Sequence, residues 1–390
     1  MPTVCHPSAV TTSEHDVIVV GVGGMGSATA FHLARRGVDV LGVERYDVPH
    51  DAGSSHGVTR IIRLPQYEDP AYVPLVRRAF DLWEELEARS GRDLLHRVGS
   101  VDFGPVDGDL FEGSRRSCEV HDIPHEVLTG AELNDRFPGY GVPDDYRAVY
   151  QPDGGFLHCE GATVAHVEAA QAEGATVRAR ERVEDWTADE SGVRLSTDRG
   201  SYAADALVVT AGAWTGQLLP ALDEYLQPER QVLSWFQPAD PATFAPERFP
   251  VFVGDTPLGH YYGFPVYDVP GFKLGRFHHR EEYGTPAELA REPDREDERL
   301  LREFAEAYFP EGSGPTMRLS TCMFTNTPDE HFLLDRHPEH PNVVVGAGFS
   351  GHGFKFASAV GEILADLALD GDTDHAIEPF RLDRFDRSGD

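Results

Sequence analysis

Apolar and polar positions near the start of the chain follow one another in a clear order. Residues 17–20 are all apolar, which predicts a strand buried on both faces. The segment 21–26 is a glycine-rich loop, and residues 27–37 place apolar side chains at helical spacing. A second strand pattern covers 38–43 and ends at Glu44. This order predicts a strand–loop–helix–strand unit with two parallel strands.

The same alternation of helices and strands returns in two later parts of the chain. Residues 153–225 and 320–390 combine helical patterns with short apolar strands. By contrast, residues 226–319 show aromatic strand patterns, and residues 91–152 are broken by Pro, Gly and Asp. We therefore predict an α/β fold with a Rossmann-like domain built from discontinuous segments and an α+β substrate domain that carries a large mixed or antiparallel sheet. The predicted boundaries are 13–90, 153–225 and 320–390 for the first domain and 91–152 and 226–319 for the second, with residues 1–12 as a flexible extension.

Acidic residues strongly outnumber basic ones. Asp and Glu total 66 against 34 Lys and Arg, and the formal net charge is −32. This charge argues against a nucleic-acid partner, because phosphates require the opposite sign. Acidic residues spread along the whole chain suit a protein in high salt, where screening weakens their mutual repulsion. We therefore expect a halophilic, cytoplasmic protein.

Neither the apolar segments nor the cysteines indicate a membrane span or export. No run of about 18 apolar residues occurs, and the N-terminus lacks a basic start followed by an apolar stretch. The four cysteines show no Cys-x-x-Cys spacing, which favours a reducing cytoplasm over a disulfide framework or a zinc site. They are Cys5, Cys118, Cys159 and Cys322. We expect no metal, and a structural role for His331, His337 and His340, which form no helical i, i+4 pair.

Lysine is almost absent from the chain. Of the 34 basic residues only two are lysine, Lys273 and Lys355, and the others are arginine. A compact ammonium performs tasks that a planar guanidinium does not. The two lysines are therefore candidate functional residues, with chance survival as the alternative.

The glycine-rich loop carries the pattern Gly21-x-Gly23-x-x-Gly26. Gly21 permits a tight turn, Gly23 lets the backbone approach a pyrophosphate, and Gly26 allows the helix to pack closely on the strand. The helix N-terminus then favours phosphate through its partial positive charge. Glu44 is placed to accept hydrogen bonds from ribose hydroxyls and disfavours a 2′-phosphate, so NADP is not expected. The pattern by itself leaves FAD and NAD open.

Three longer segments carry a resemblance to a known family. They are GSSHGVTRIIR (53–63), CMFTNTPDEHFLLDRHPEH (322–340) and VVVGAGFSGHGFKFASAVGEILADLAL (343–369), with the shorter motifs RQV (230–232), YYGFP (261–265) and KLG (273–275). From residue 15 to residue 385 the chain resembles the monomeric sarcosine oxidase family of FAD-dependent amine oxidases, which also holds N-methyltryptophan oxidase and the pipecolate oxidases.

The resemblance implies a reaction and its partners. It implies FAD as the cofactor and the oxidation of a secondary amino acid, N-methyl or cyclic, to an imine with release of hydrogen peroxide. The expected partners are a small amino-acid substrate and oxygen, and the protein is expected to be a monomer, with a dimer as the alternative. Two other functions stay open: a dehydrogenase that passes electrons to a carrier, and a non-catalytic flavin-binding redox protein.

The resemblance also assigns roles to residues. It implies a thioether between Cys322 and the flavin, a clamp on the substrate carboxylate formed by Arg60 and Lys355, and promotion of the oxygen reaction by Lys273. The further catalytic or pocket residues are Tyr262, His352, Arg63 and His56. The further cofactor-binding residues are Arg45, Ser54, Thr59, Ile61, Val183, Gly212, Trp214, Ser350, Gly351, Gly353 and Phe354.

Two positions depart from the family pattern. This chain has Phe277 where sarcosine oxidase has a histidine beyond the oxygen-activating lysine, and Phe324 where the family commonly has a tyrosine. His278 and His279 follow and could replace the missing histidine through a shifted register. Both changes remove polar groups near the amine, which favours a bulkier or more apolar substrate than sarcosine.

Overall fold

The structure is a computed structural model that describes residues 13–385. Its strands are β1 (Ser13–Val20), β2 (Val40–Val43), β3 (Thr59–Ile62), β4 (Leu95–Arg97), β5 (Ser100–Gly104), β6 (Glu126–Thr129), β7 (Arg147–Gln151), β8 (Gly155–His158), β9 (Thr176–Arg178), β10 (Val183–Asp189), β11 (Gly192–Thr197), β12 (Ser201–Val209), β13 (Gln227–Phe236), β14 (Val251–Thr256), β15 (Gly259–Phe264), β16 (Phe272–Arg276), β17 (Thr316–Asn326), β18 (Leu333–Arg336) and β19 (Val343–Ala347). Its α-helices are α1 (Gly24–Ala34), α2 (Tyr72–Ser90), α3 (Asp109–Val120), α4 (Gly130–Arg136), α5 (Cys159–Ala172), α6 (Thr215–Leu218), α7 (Arg295–Tyr308) and α8 (Ala357–Leu369). The predicted flexible extension, residues 1–12, lies outside the described residues, as does Cys5.

The first sheet contains the predicted strand–loop–helix–strand unit. Its strands lie in the order β10-β11-β12-β1-β2-β9, and β19, which also pairs with β18, joins it beside β12. Strand β1 is parallel to β2 and β12, and its apolar residues 17–20 are all buried. Helix α1 packs against α5 and α8. The glycine-rich loop therefore leaves the carboxyl end of a central parallel strand, where open α/β sheets bind their ligands.

The second sheet also has eight strands, in the order β17-β13-β16-β15-β14-β5-β7-β6. Its neighbours are antiparallel except β5 and β14, which are parallel. Its core is largely aromatic and includes Phe236, Phe252, Phe272, Phe304 and Phe309. The predicted α/β fold with a large mixed sheet is confirmed. A third, short sheet has the order β3-β8-β4.

The predicted domain boundary at residue 320 falls inside a strand. β17 pairs with β13 from Thr316, opposite Phe236, to Asn326, opposite Gln227. Because this pairing holds the whole of β17 in the second sheet, we propose that the boundary follows Asn326. Within residues 13–385, no helix combines the length and the apolarity that a membrane crossing needs.

Candidate functional site

One cleft of about 540 Å³ brings most of the predicted site residues together. Its volume is in the usual range for small-molecule sites. The glycine-rich loop lines one part of it, and segments 322–325 and 348–355 line another. The predicted residues that line it are Gly21, Gly23, Glu44, Arg45, Ser54, Arg60, Ile61, Arg63, Val183, Gly212, Trp214, Tyr262, Cys322, Ser350, Gly351, His352, Gly353, Phe354 and Lys355. The predicted residues that do not line it are Gly26, His56, Thr59 and Lys273.

The three fingerprint glycines have three different environments. Gly21 has a φ of +88°, which favours glycine. A Cβ added to Gly26 would lie 1.8 Å from the carbonyl oxygen of Gly21 and 2.5 Å from Thr210 Oγ1, so the helix could not pack this closely with any side chain there. A Cβ on Gly23 would meet only Ser55 Oγ, at 3.6 Å, so a side chain there would extend into the cleft.

Glu44 is buried at the end of β2 and faces the glycine-rich loop. Its Oε2 accepts a hydrogen bond from the Val22 N–H and its Oε1 from the Tyr46 N–H, both at 2.9 Å. A carboxylate has about four acceptor positions, so Oε2 keeps one for a ligand hydroxyl, while His50 Nε2 lies 3.5 Å from Oε1. A second cleft acid, Glu181, accepts hydrogen bonds from Thr197 and Tyr202, both at 2.6 Å. Nothing in the sequence pattern marked Glu181 as part of this wall.

Cys322 has a different environment from the other described cysteines. Burial raises the pKa of its thiol, but His56 and Arg60 outweigh burial and lower this pKa to about 7. By contrast, burial raises the pKa of Cys118 and of Cys159 to about 12. Cys322 is therefore the thiol with a substantial thiolate fraction near pH 7.

Lys273 lies behind the wall of the cleft. Its Nζ donates hydrogen bonds to the carbonyl oxygens of Gly57 and Thr59, both at 2.7 Å, and to Thr59 Oγ1 at 2.9 Å. Its Nζ also lies 4.2 Å from the centre of the Phe264 ring. Burial lowers the pKa of Lys273 well below its usual value, and Arg60 lowers it further. The three oxygen acceptors oppose this by stabilising the ammonium form.

Arg63 and two carboxylates form a buried ionic group beside the cleft. The Nη2 of Arg63 donates to both carboxylate oxygens of Glu68 at 3.2 Å, and its Nη1 donates to Asp102 Oδ2 at 3.2 Å and to the carbonyl oxygen of Pro65. Ser114 Oγ donates to the same Asp102 oxygen at 2.5 Å. Glu68 lines the cleft and Asp102 does not. The sequence offered no pattern that linked these four side chains, which come from separate segments.

Lys355 joins the same ionic group. Its Nζ donates to the carbonyl oxygen of His352 at 2.9 Å. Burial lowers the pKa of Lys355 to about 7. Glu68 opposes this shift and Arg63 adds to it. Burial also lowers the pKa of His352 to about 4, so this imidazole is neutral near pH 7.

Arg63, and not Arg60, lies in the ionic group of Lys355, so we propose Arg63 in place of the predicted Arg60 as the arginine that acts with Lys355. Arg60 lies on β3, where its Nη2 donates to the carbonyl oxygen of Ser54 at 2.8 Å and to Cys322 Sγ at 3.7 Å. These contacts direct Arg60 toward Cys322. Arg63 follows the strand and turns toward the other lysine.

Aromatic rings line the cleft near these charges. The rings of Tyr262 and Phe277 lie 4.9 Å apart at 62°, and the rings of Phe277 and Phe324 lie 6.1 Å apart. All three residues line the cleft. A Cβ on Gly351 would lie 2.5 Å from the Phe324 ring, so the glycine-rich turn packs directly on this aromatic wall.

Neither histidine after Phe277 replaces the missing family histidine. His278 has a φ of +49°, and its ring nitrogens pair with Glu229 at 2.8 Å and Glu330 at 3.2 Å, which raises its pKa to about 10. His279 is buried 3.1 Å from Asp297. Neither lines the cleft. The turn after β16 sends both side chains away, which corrects the shifted-register prediction.

The three histidines of the 331–340 region lie outside the cleft. His331 Nδ1 is hydrogen bonded to the Tyr72 hydroxyl at 2.9 Å. The rings of His337 and His340 lie 5.1 Å apart, and both contact Trp186. Over the described part of the chain, no three His, Cys, Asp or Glu side chains are grouped to hold a metal.

Comparisons with known proteins cover almost the whole chain. A model of the FAD dependent oxidoreductase family matches residues 16–367. Monomeric sarcosine oxidase from Bacillus sp. (strain NS-129) is 43% identical over 379 residues, covering 96% of this chain and 97% of that protein. N-methyl-L-tryptophan oxidase from Yersinia pestis (strain Pestoides F) is 36% identical over 376 residues, covering 95% of this chain and 100% of that protein.

The chain belongs to the sarcosine oxidase group of FAD-dependent oxidoreductases.

Solved structures of this family share the fold. The open form of NikD, described as an unusual amino acid oxidase, superposes with a TM-score of 0.82 at 30% identity, over 95% of this chain and 98% of that one. An L-proline dehydrogenase from P. horikoshii superposes with a TM-score of 0.84 over 97% of this chain and 99% of that one. At 22% sequence identity, this similarity concerns the fold alone.

The residues of the cleft fit FAD. Gly23 leaves space beside the N-terminus of α1, which suits a pyrophosphate, and Glu44 retains an acceptor position for a ribose hydroxyl. The turn 348–353 adds further backbone to the wall, with left-handed conformations at Gly348, Ser350 and Gly351. These features place a nucleotide-binding part and a charged, aromatic part in one cleft. We call them the nucleotide part (21–25, Glu44, 210–214) and the substrate part (Arg63, Glu68, Tyr262, Phe277, Phe324, Lys355).

Proposed function

We propose that this protein is an FAD-dependent oxidase of N-methyl amino acids that produces hydrogen peroxide. The observation that carries this proposal is the cation pair Arg63 and Lys355, which lines the same cleft as the nucleotide-binding loop. The relatives named for sarcosine and N-methyl-L-tryptophan oxidation support it, since both substrates are N-methyl amino acids. FAD, when bound, supplies the two-electron acceptor.

In this proposal the substrate carboxylate binds to Arg63 and Lys355. Among the described residues, the ammonium of Lys355 donates one hydrogen bond, to His352, and retains donors for a ligand. The substrate must compete with Glu68 for Arg63. The positive charges of Arg63 and Lys355 are already balanced by the negative charges of Glu68 and Asp102. A third carboxylate binds favourably only if Glu68 leaves Arg63.

The aromatic wall orients the amine end of the substrate and excludes water. Phe277 and Phe324 offer no hydrogen-bonding group, so a polar substituent that reached them would be left unpaired. The hydroxyl of Tyr262 is the polar exception, and burial raises its pKa above the usual value, which keeps it protonated. We therefore propose substrates whose substituents near the amine are apolar, including cyclic secondary amino acids.

Cys322 is proposed to carry the flavin through a thioether. Its lowered pKa supplies the thiolate that such a bond requires, and His56 and Arg60 maintain that thiolate. Denaturation in acid should leave yellow flavin on the intact polypeptide. The variant Cys322→Ser should release all its flavin under the same treatment, whereas Cys118→Ser should retain it. Release of free flavin from the unmodified protein would refute the link.

Lys273 is proposed to promote the reaction with oxygen. A fixed ammonium stabilises negative charge that develops on oxygen, and Lys273 is held by three oxygen acceptors. In the variant Lys273→Met, reoxidation by oxygen should slow strongly, whereas anaerobic reduction by substrate should change little. Unaltered reoxidation would contradict this role.

The proposed activity is tested by oxygen consumption and peroxide formation. Holoprotein is mixed with sarcosine, N-methyl-L-tryptophan, pipecolate or proline, in air and then anaerobically with a dye acceptor. Peroxide in stoichiometric amount with the oxygen consumed supports an oxidase. Turnover that needs the dye identifies a dehydrogenase that passes electrons to a carrier. Absence of turnover in both conditions identifies a non-catalytic flavin-binding protein.

The physiological setting is a separate proposal. A net charge of −32 supports a salt-rich cytoplasm. The similarity to monomeric sarcosine oxidase supports a monomer. Thermal stability should rise as KCl increases from low to molar concentrations, because salt screens the repulsion between carboxylates. A stability that falls with added KCl would contradict the halophilic assignment.

A further inference from the structure

A buried carboxylate lies between two apolar side chains on a strand of the second sheet. Asp102 lies on β5 between Val101 and Phe103, and its side chain is 2% exposed. Such a position costs free energy unless the charge is paired and hydrogen bonded. Its Oδ2 accepts a hydrogen bond from Arg63 Nη1 at 3.2 Å and from Ser114 Oγ at 2.5 Å.

The two ends of the Arg63 guanidinium have different partners. Nη1 donates to Asp102 and to the carbonyl oxygen of Pro65, and neither of these residues lines the cleft. Nη2 donates to both oxygens of Glu68, which does line it. Glu68 is 13% exposed, against 2% for Asp102. One carboxylate is therefore placed as a permanent partner and the other as an exchangeable one.

We propose that Asp102, held by Ser114, is a positioning residue that fixes Nη1 of Arg63 so that Nη2 can exchange Glu68 for the carboxylate of the substrate. The inference rests on the proposed function, in which Arg63 binds that carboxylate. Without the anchor, Arg63 would be free to turn both nitrogens toward Glu68, and the substrate would face a stronger competitor. Loss of the anchor should therefore weaken carboxylate binding and leave the chemical step unchanged.

The variant Asp102→Asn removes the anchoring charge and keeps the shape of the side chain. Its carbonyl oxygen can still accept from Ser114, so the strand should fold normally. We expect the Kd of propionate, read from the flavin absorbance of the holoprotein, to rise about tenfold. The KM for sarcosine should rise by the same factor, and kcat should stay within about twofold. Ser114→Ala, which removes only the hydrogen bond to Asp102, should raise the Kd of propionate and the KM for sarcosine by about threefold.

The matched control is a second buried Asp–Arg pair, of which neither residue lines the cleft. Asp297 is fully buried and accepts from Arg230 Nη2 at 2.6 Å. Asp297→Asn should lower the melting temperature and leave the propionate Kd unchanged. An equal rise of Kd in Asp297→Asn would show a general effect of stability and would overturn the positioning role.

The remaining outcomes separate the inference from the proposed function. If propionate and the amines perturb the flavin of the wild-type protein, and Asp102→Asn and Ser114→Ala respond with the same Kd as the wild type, the positioning role is wrong and the function stands. A fall in kcat at unchanged KM would also overturn it. If neither propionate nor any amine perturbs the wild-type flavin, the proposed function fails, and the role of Asp102 fails with it.

Discussion

The nucleotide part and the substrate part of the cleft are built in different ways. The nucleotide part consists mainly of backbone from residues 21–25 and 210–214, where Gly21 and Gly23 each meet a steric requirement, and Gly26 packs α1 directly behind it. The substrate part consists of charged and aromatic side chains from separate segments, including Arg63 after β3 and Lys355 after β19. A site made of backbone can be predicted from local sequence motifs, whereas a site made of side chains depends on how distant segments pack.

Two glycine substitutions should give the largest effect and would break the nucleotide part in distinguishable ways. In Gly26→Ala the new Cβ meets backbone at 1.8 Å, so we expect loss of both the native melting transition and flavin. In Gly23→Ala the new Cβ has ordinary space, so the apoprotein should fold normally and flavin per polypeptide should fall at least about tenfold. Flavin content and thermal melting are measured together. Normal flavin content in Gly23→Ala would contradict the role of this glycine in pyrophosphate binding.

Removing Lys355, one of the two cations of the substrate part, should have the next largest effect. Lys355→Met should lower kcat/KM for sarcosine by about 30- to 4000-fold, because truncating one partner of a buried charge pair costs about 2–5 kcal/mol. Flavin content should stay normal. The decisive control is a secondary amine without a carboxylate, N-methylethylamine, whose oxidation should be nearly unchanged. An equal loss for both amines would assign Lys355 to the chemical step instead of carboxylate binding.

Carboxylate binding should also depend on pH through Lys355. Its pKa of about 7 lies below the usual value for lysine, so its ammonium is charged below this pH and neutral above it. A bound carboxylate stabilises the charged form, so affinity is highest below pH 7 and weakens by at most about tenfold per pH unit above it. The Kd of propionate is measured from pH 6 to 9. The profile should flatten in Lys355→Met, and a wild-type Kd that does not change with pH would contradict this pKa.

The smallest effect is expected where a competitor is removed. Glu68→Gln should lower the Kd of propionate about three- to tenfold, because Arg63 then loses its internal anion and becomes free for the ligand. The opposite sign from Asp102→Asn is the useful feature, since the two carboxylates contact the same guanidinium. A weaker propionate complex in Glu68→Gln would show that Glu68 supports Arg63 and does not compete with the substrate.

Local sequence predicts the nucleotide part of the cleft better than the substrate part. Gly21, Gly23 and Glu44 line one cleft, and their spacing alone defines the strand–loop–helix geometry, whereas Gly26 packs the helix behind that wall. Arg60 and Arg63 were not distinguished in their roles. Three residues apart at a strand end, they lie in different environments, and only the packing shows which one meets Lys355.

Buried polar groups are the second kind of feature that the sequence alone does not place. Asp102 stands in an apolar strand pattern, which is a sequence signal of a special role, but its partners Arg63 and Ser114 are distant in the chain. The shifted register expected for His278 is not found, because His278 itself is left-handed and its ring pairs with Glu229 and Glu330, which are distant in the chain.

The most direct test of the central claim is an anaerobic reduction of the holoprotein. Sarcosine and N-methylethylamine, which carry the same N-methyl amine with and without a carboxylate, are added separately while the flavin absorbance is followed. The account predicts rapid bleaching by sarcosine at concentrations at which N-methylethylamine bleaches at least about a hundredfold more slowly, because Arg63 and Lys355 position only the amino acid. Equal bleaching by both amines, or no bleaching by sarcosine and the other N-methyl and cyclic amino acids, would contradict it.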